Sequence, residues 1–245
     1  MKNRKKSGVN LSNLYYMYGK HAVFAAINNN NRHIEKIYCL EKTFLEFKNK
    51  LNHFNIEVVS VDFINKKIGP DQPHQGILAL VHSIFLNNIN DLDFTETIDR
   101  VVILDQITDP QNIGAIIRSA VAFGITKLIL PTDRAPEESA AIAKAASGCL
   151  ELIQIAKVTN IKTAIETLKR KEFWIAGLDL NGKDNLSSLA EFNKIAIIIG
   201  SEGKGMRRLT TESCDFFFFL PISSKVESLN ASNAASIIFN SLNLL

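Results

Sequence analysis

Glu202 is the only carboxylate within a glycine-rich segment, Gly200–Met206, that follows the apolar run Ile195–Ile199. Three glycines within six residues allow the backbone to approach a ligand closely and to adopt positive φ angles. The segment matches neither the GxGxxG dinucleotide fingerprint nor a Walker A loop. We therefore expect a small-molecule site formed largely by backbone groups. A glycine-rich turn without a ligand is the simpler alternative.

Asn112 and Arg118 belong to an apolar helix predicted over Ile113–Phe123, with Asn112 at its start. The preceding Asp109-Pro110 pair predicts a turn, because a residue before proline avoids the helical region. An arginine on an apolar helix is costly unless it reaches a carboxylate, a phosphate or solvent. Arg118 could therefore bind a substrate phosphate, or it could be an ordinary surface arginine.

Ser228 and Asn230 precede an alanine-rich helix predicted over Ala231–Leu242. Serine and asparagine at this place are helix N-caps by default, and we expect Ser228 to cap this helix. A helix N-terminus also attracts polar or anionic ligands through its free N–H groups. The loop follows a second apolar run, Phe216–Pro221. Two strand ends that open into two such loops are typical of a ligand site in an open α/β sheet.

The elements that must position these loops alternate between strands and helices. The pattern predicts strands at Val101–Leu104, Lys127–Leu130, Leu150–Ile155, Phe173–Leu178 and Ile195–Ile199. Helices are predicted between them, including Glu137–Ser147 and a helix that Thr159 caps. This order predicts a parallel, doubly wound sheet, with the wholly apolar run Ile195–Ile199 at its centre.

The first half of the chain predicts a second, smaller α/β unit of alternating short strands and helices. We predict a disordered basic arm at 1–13, an N-terminal domain at 14–83, a polar linker at 84–99 and a C-terminal domain at 100–245.

Composition gives only weak support for a nucleic-acid partner, because the formal net charge of the 245 residues is +3. Cations near the presumed site would suit a phosphate-bearing substrate, although a solvated face is the alternative: Lys204, Arg207, Arg208 and Lys225. Three distant cysteines predict reduced thiols in a cytoplasmic protein. We expect no metal site, no membrane span and no secretory signal.

Three segments together resemble the signature motifs of the SpoU, or TrmH-like, family of RNA ribose methyltransferases. They are NIGAIIRSA at 112–120, IIIGSEGKGM at 197–206 and LPISSKVESLNASNAASII at 220–238. Two upstream segments, MYGKHAV at 17–23 and HQGI at 74–77, resemble the N-terminal domain of the RlmB-type subgroup, which methylates a guanosine of 23S rRNA. One departure is Ser224, where relatives often have glycine.

The resemblance implies a methyltransferase domain with a C-terminal trefoil knot, a small N-terminal RNA-binding domain, and a homodimer. It also implies S-adenosylmethionine as cofactor, held by residues matching the family's second and third motifs: Gly200, Leu220, Ile222 and Leu229. The residues matching the family's catalytic or RNA-handling positions are Asn112, Arg118, Glu202, Ser228 and Asn230.

The implied reaction is attack of a ribose 2′-oxygen on the sulfonium methyl group. Arg118 is the family's usual candidate base, but a guanidinium group scarcely deprotonates in proteins. Our hypothesis is that Arg118 holds the phosphate beside the target ribose, and that Glu202, or a water it orients, receives the proton. Three alternatives are the same chemistry on another RNA (tRNA or a different rRNA ribose), a non-catalytic RNA-binding assembly protein, and a nucleotide-dependent oxidoreductase, for which the chain lacks the sequence fingerprint.

Overall fold

The computed structural model describes residues 14–179 and 182–242. The strands are β1 (Leu14–Tyr18), β2 (Ile34–Cys39), β3 (Ile56–Val58), β4 (Ile77–His82), β5 (Asp99–Leu104), β6 (Lys127–Pro131), β7 (Gln154–Val158), β8 (Trp174–Leu178), β9 (Lys194–Ile199) and β10 (Phe216–Phe218). The α-helices are α1 (Lys20–Asn28), α2 (Glu41–Leu51), α3 (Val61–Ile68), α4 (Pro110–Ala122), α5 (Ala140–Ala146), α6 (Ile161–Arg170), α7 (Arg208–Thr211) and α8 (Ala231–Asn240). Short 3-10 helices occur at Ile89–Asp91, Cys149–Leu152 and Leu186–Glu191. The predicted basic arm, 1–13, lies outside the described residues.

By its internal contacts the chain divides into two compact units. The first comprises the residues up to Ile84 together with Glu138–Glu151, and the second comprises the remainder. This grouping differs from the predicted domain limits in one helix, because α5 buries Ile142, Ala143 and Ala146 within the first unit.

The segment predicted as a linker, 84–99, also differs from its prediction. The Leu86 amide donates to the Ile155 carbonyl and the Leu86 carbonyl accepts from the Lys157 amide, at 2.8 Å each, so Leu86 pairs with Ala156 in β7. Ile89 and Leu92 are buried in the core of the second unit. Sparse apolar residues in a polar stretch were enough to hold this segment against the sheet.

The first unit contains a four-stranded sheet in the order β1-β4-β2-β3. Its two pairings with β4 are antiparallel, whereas β2 and β3 are parallel. The register of β2 against β4 shifts between Ile34 and Lys36, which marks a β-bulge.

The second unit contains a six-stranded sheet in the order β10-β8-β9-β5-β6-β7, with every pairing parallel. The prediction of a parallel α/β sheet is confirmed, and β9 lies between β5 and β8 as its apolar composition indicated. All the carboxyl ends of these strands meet at one edge of the sheet, where the loops after β5, β8, β9 and β10 begin.

Several predicted boundaries shift by a few residues. The strand predicted at Leu150–Ile155 begins only at Gln154, because a 3-10 turn occupies Cys149–Leu152. Thr159 does not cap the following helix; the neighbouring Asn160 does, by accepting a hydrogen bond from the Thr163 amide. All three cysteines are free thiols. Among the described residues, no helix is long and apolar enough to cross a membrane.

Candidate active site

A cavity of about 460 Å³ lies at the carboxyl ends of β8 and β9 and beside the segment that follows β10. Leu178 and Ile199, the last residues of β8 and β9, contribute to its floor. All four residues predicted to bind the cofactor line this cavity: Gly200, Leu220, Ile222 and Leu229. The loops that follow β9 and β10 therefore both border this cavity.

The glycine-rich segment forms a tight turn on one side of the cavity. The Ser201 amide donates to the Gly205 carbonyl at 3.1 Å, and the Gly205 amide donates to the Ser201 carbonyl at 2.9 Å. Gly203 and Gly205 have φ angles of +76° and +63°, which residues with a side chain rarely adopt. A Cβ atom on Gly200 would lie 2.4 Å from the Gly205 carbonyl carbon, so only glycine allows the turn to close.

Asn230 caps helix α8 and links it to the start of α4. Its Oδ1 accepts a 2.9 Å hydrogen bond from the Ser232 amide, and its Nδ2 donates to Asn112 Oδ1 at 3.0 Å. Asn112 is itself placed by Asp109, whose carboxylate caps α4. Two predicted site residues that are far apart in the sequence are thus in direct contact.

Glu202 connects the glycine-rich turn to the same helix terminus. Its Oε1 accepts a 2.9 Å hydrogen bond from the Ala231 amide, the first residue of α8. Glu202 also lines the cavity, and its side chain is exposed. The structure thereby brings Glu202, Asn230 and Asn112 together around the N-terminus of α8.

Two predicted site residues, Ser228 and Arg118, are not part of the group around the N-terminus of α8. Ser228 lines the cavity but does not cap α8, so that prediction is wrong; the helix begins two residues later than such a cap requires, and Asn230 takes the role. Arg118 is exposed on α4 and does not line the cavity. Within the described part of the chain, its guanidinium group has no hydrogen bond or ion pair, and it is therefore available to a ligand.

Sequence reasoning missed the residues that follow β5. Asp105 is fully buried, and its Oδ2 accepts a 2.8 Å hydrogen bond from the Arg207 amide, just beyond the glycine-rich turn. Gln106, with a φ angle of +65°, donates its side-chain amide to the Gly205 carbonyl at 3.1 Å. An acidic residue directly after the buried strand Asp99–Leu104 was the available signal for this support.

Cys214 lies beside Gly177 of β8 and is not a candidate nucleophile. A Cβ on Gly177 would meet both Cys214 Sγ and the end of the Met206 side chain at 3.0 Å or less, so the space around Gly177 is tightly packed. Burial, followed by the nearby Asp215 carboxylate, raises the pKa of the Cys214 thiol to about 12. Because the thiolate is the reactive form, this cysteine is inert near neutral pH.

The charge of the cavity favours a ligand that is partly cationic. Among the described residues that line it, three are acidic and one is basic: Asp179, Glu202, Glu227 and Lys204. The remaining lining consists largely of glycine backbone and aliphatic side chains. Such a cavity, apolar with a few polar groups, is typical of small-molecule and cofactor sites.

In the first unit, the two segments singled out from the sequence also converge. The Lys20 amide donates to Gln75 Oε1 at 2.8 Å, and the Gly19 amide donates to the Ile77 carbonyl at 3.3 Å. Gly76, with φ of +78°, leaves no room for a Cβ beside Thr43 Oγ1. MYGKHAV and HQGI therefore form one packed corner.

Two family descriptions match the chain. The SpoU rRNA Methylase family matches residues 99–240, and a family described as RNA 2′-O ribose methyltransferase substrate binding matches residues 16–84. A TrmH family tRNA/rRNA methyltransferase of Bacillus subtilis, YacO, is 32% identical over 232 residues, which is 91% of this chain and 92% of that protein.

Solved structures show the same fold. The SpoU methyltransferase AviRb from Streptomyces viridochromogenes, in complex with its cofactor AdoMet, matches with a TM-score of 0.81 and 19% identity over 94% of this chain and 89% of its own. An AdoMet-bound rRNA methyltransferase from Sinorhizobium meliloti matches with a TM-score of 0.77 and 18% identity over 94% and 86%. With a family match over most of the C-terminal half and a relative matched over nearly its full length, the chain belongs to the SpoU rRNA methylase family of RNA methyltransferases.

Proposed function

We propose that this protein transfers a methyl group from S-adenosylmethionine to the ribose 2′-hydroxyl of a guanosine in 23S rRNA. The observation that carries the proposal is the cavity at the ends of β8 and β9, whose two walls are tied together at the N-terminus of α8. The similar SpoU structures from Streptomyces and Sinorhizobium are described as bound to AdoMet, which supports the same cofactor here.

The residues around the cavity suit this cofactor. A volume of about 460 Å³ falls within the range of small-molecule sites, and aliphatic side chains such as Leu220 and Leu229 suit an adenine ring. The excess of carboxylates in the lining suits a sulfonium cation. When bound, the cofactor supplies an electrophilic methyl group. Residues Gly200–Gly205 line the cavity, and their backbone groups are proposed to orient the ligand.

Arg118 is proposed to hold the phosphate next to the target ribose. Its guanidinium group is exposed and, among the described residues, has no competing acidic partner. Arginine binds phosphate oxygens through two parallel hydrogen bonds, which would fix both the position and the angle of the nucleotide. Such positioning accelerates transfer by holding the 2′-oxygen in line with the methyl group.

Glu202 is proposed to accept the proton of the 2′-hydroxyl, directly or through a water. Its Oε1 already accepts the Ala231 amide, which fixes the carboxylate at the cavity, while Oε2 has no hydrogen bond from the described residues. Asn112 and Asn230 hold the helix terminus that presents this carboxylate. Ser228, which is exposed on the cavity wall, is proposed to contact the ligand.

The choice of 23S rRNA rests on the first unit and on the relatives. A substrate-binding family matches residues 16–84, and the Sinorhizobium protein, described as an rRNA methyltransferase, shares both parts of this fold. The Bacillus relative is described as tRNA/rRNA, so tRNA is the competing substrate. The trefoil knot and the homodimer stay predictions from the family resemblance, and the cytoplasmic location stays a prediction from the three distant cysteines.

The substrate proposal is tested by mapping ribose methylation. The purified protein is incubated with methyl-labelled S-adenosylmethionine and, separately, with 23S rRNA, ribosomal precursor particles and tRNA. A 2′-O-methyl group blocks alkaline cleavage of the adjacent phosphodiester, so the modified nucleotide appears as one uncleaved position. We expect one guanosine of 23S rRNA. A tRNA product would replace the substrate proposal, and failure to bind the cofactor by calorimetry would favour a non-catalytic role.

The role of Glu202 is separated from its structural role by two substitutions. In Glu202→Gln the amide oxygen can still accept the Ala231 hydrogen bond, whereas in Glu202→Ala it is lost. If Glu202 accepts the proton, Glu202→Gln lowers the single-turnover rate by about 10²–10⁴-fold and flattens its pH dependence. If Glu202→Gln keeps the full rate while Glu202→Ala loses it, Glu202 only supports α8.

A further inference from the structure

Three side chains of the first unit converge outside the candidate active site: His33, Glu35 and His82. The carboxylate oxygen Oε1 of Glu35 lies 3.1 Å from His33 Nε2 and 2.7 Å from His82 Nε2. One ligand-type atom from each residue lies within 4.8 Å of the other two. Nothing in the proposed methyl transfer uses these residues.

The backbone explains why the three side chains meet. His33 and Glu35 flank Ile34 at the start of β2, where the register against β4 shifts, and a bulge of this kind re-aims a side chain. The His82 amide, at the end of β4, donates to the His33 carbonyl at 3.1 Å. The three side chains therefore lie together where the start of β2 meets the end of β4.

His82 is held firmly in place. Its side chain is 4% exposed, against 56% for His33 and 44% for Glu35, so one ligand is rigid and two are open to solvent. Arg32 Nη1 donates to the His82 carbonyl at 2.7 Å, which fixes the backbone on the other side of the residue. A site with a fixed ligand and accessible partners allows an ion to enter.

The buried charged group that contacts the His82 backbone favours a cation nearby. Arg32 is paired with two buried carboxylates, Glu138 and Glu151, each at 2.5 Å. The exposed fractions of these side chains are 0–2%. This group carries one positive and two negative charges, so its net charge is negative, and Arg32 joins it to the His82 backbone carbonyl.

We propose that His33, Glu35 and His82 bind one Zn²⁺ ion, which joins the ends of β2 and β4. Two imidazole nitrogens and one carboxylate oxygen form a ligand set that zinc commonly takes, with a water molecule as fourth ligand. Donor atoms of a tetrahedral zinc site lie about 3.3–3.6 Å from one another, a spacing that shifts of less than about 1.5 Å would produce here. The spacing of the cysteines does not predict a zinc site. His33 and His82 are too far apart along the chain for a metal-binding motif to be recognised from the sequence.

The experiment is a calorimetric titration of Zn²⁺ into the full chain after treatment with a chelator. The variants are His33→Ala and Glu35→Gln, whose exposed side chains can be changed without opening the core. His53→Ala, an exposed histidine of the same unit, is the matched control. We expect one ion per chain in the wild type and in His53→Ala, and at least tenfold weaker binding in each of the other two variants.

Cobalt absorption distinguishes this site from the free thiols. Co²⁺ bound by imidazole and carboxylate shows visible bands without the sulfur-to-metal charge transfer of a thiolate site. No Zn²⁺ binding by the wild type, a thiolate band, or affinity unchanged in both His33→Ala and Glu35→Gln would overturn the proposal. None of these outcomes depends on methyl transfer.

Discussion

Arg32 and Arg118 carry the same charged group in opposite surroundings. Arg32 is buried, and its guanidinium donates to Glu138, to Glu151 and to the His82 carbonyl. Arg118 is exposed on α4, with no polar partner in the part of the chain that the structure describes. The hydrogen-bond donors of Arg32 are therefore occupied by partners within the fold, whereas those of Arg118 are free to bind a ligand.

Glu138 and Glu202 repeat this contrast among carboxylates. Glu138 accepts hydrogen bonds from Tyr15, Arg32, Ser83 and the Ile84 amide, at 2.5–2.8 Å. Glu202 accepts one, from the Ala231 amide, beside an open cavity. A charged group with a complete set of buried partners indicates a structural role. A charged group with free hydrogen-bonding positions at a cavity indicates a functional one.

The largest effect is expected from Arg32→Met. It leaves Glu138 and Glu151 buried without their cation, and breaking a buried ion pair in this way costs about 3–5 kcal/mol of unfolding free energy. All four tyrosines of the chain lie in the first unit, whereas the single tryptophan, Trp174, lies in the second. Urea unfolding followed by tyrosine absorbance should therefore shift more than unfolding followed by Trp174 fluorescence.

The matched control for Arg32→Met is Arg118→Met. A substitution at an exposed position without partners changes stability by no more than about 0.5 kcal/mol. Equal losses in the two variants would remove the distinction between a structural and a functional arginine.

Arg118→Ala should give the next largest effect, on the reaction rather than on stability. Loss of a hydrogen bond to a charged group costs about 1.5–3 kcal/mol, which corresponds to a fall in kcat/KM for RNA of about 10–150-fold. The affinity for S-adenosylmethionine should not change, because Arg118 does not line the cavity. Arg170→Ala, at an exposed arginine of α6, controls for the loss of one positive charge. A similar fall in both variants would show that net charge alone is responsible.

Gly200→Ala tests the cavity wall, and we expect it to change the affinity for the cofactor rather than the affinity for RNA. The new Cβ would lie 2.4–2.6 Å from the backbone of Gly205 and Met206, so the turn must move. Overpacking of this kind costs about 1–3 kcal/mol, and we expect calorimetry to show about five- to 150-fold weaker binding of S-adenosylmethionine. The matched control is Gly203→Ala, because a Cβ on Gly203 would meet nothing within 4 Å and adds only the strain of a positive φ angle. We expect Gly203→Ala to bind S-adenosylmethionine more tightly than Gly200→Ala does.

The two regions also differ in how far sequence could predict them. The family resemblance implied Gly200, Leu220, Ile222 and Leu229 as one set, and the structure places all four on one cavity. The parallel sheet followed from the spacing of the apolar strands, which is a local pattern. The binding role of the four residues stays a prediction.

The network around Arg32 could not be predicted in this way. Arg32 is separated from Glu138 by 106 residues and from Glu151 by 119, and Arg32 itself lies in a polar turn that resembles an ordinary loop. Caps were misplaced by one or two residues, at Thr159 and Ser228, because in each case an asparagine that can also cap, Asn160 or Asn230, follows closely in the sequence. Local pattern predicted elements and loops, and only the folded chain showed which charges are buried together.

The smallest effect is expected from Tyr15→Phe, and it depends on pH. The Tyr15 hydroxyl donates to Glu138 at 2.8 Å, so its loss should cost about 1 kcal/mol at pH 7, while three other donors continue to satisfy the carboxylate. Burial, followed by the charge of Glu138, raises the pKa of Tyr15 well above its usual value of 10.0. The folded state therefore keeps this proton at a pH where the unfolded chain has lost it.

The sign of the pH effect follows from that difference. A raised folded pKa contributes stability that is fully present below about pH 10 and is lost as pH rises further, because the unfolded state then releases a proton that the folded state retains. Wild-type stability should accordingly fall more steeply above pH 10 than that of Tyr15→Phe, so the gap between them narrows. Tyr18, whose pKa burial also raises, is present in both proteins and contributes equally to each curve. Parallel curves between pH 8 and pH 11, measured by urea unfolding, would mean that Tyr15 is not part of the closed network, and the contrast between Glu138 and Glu202 would then rest on three donors rather than four.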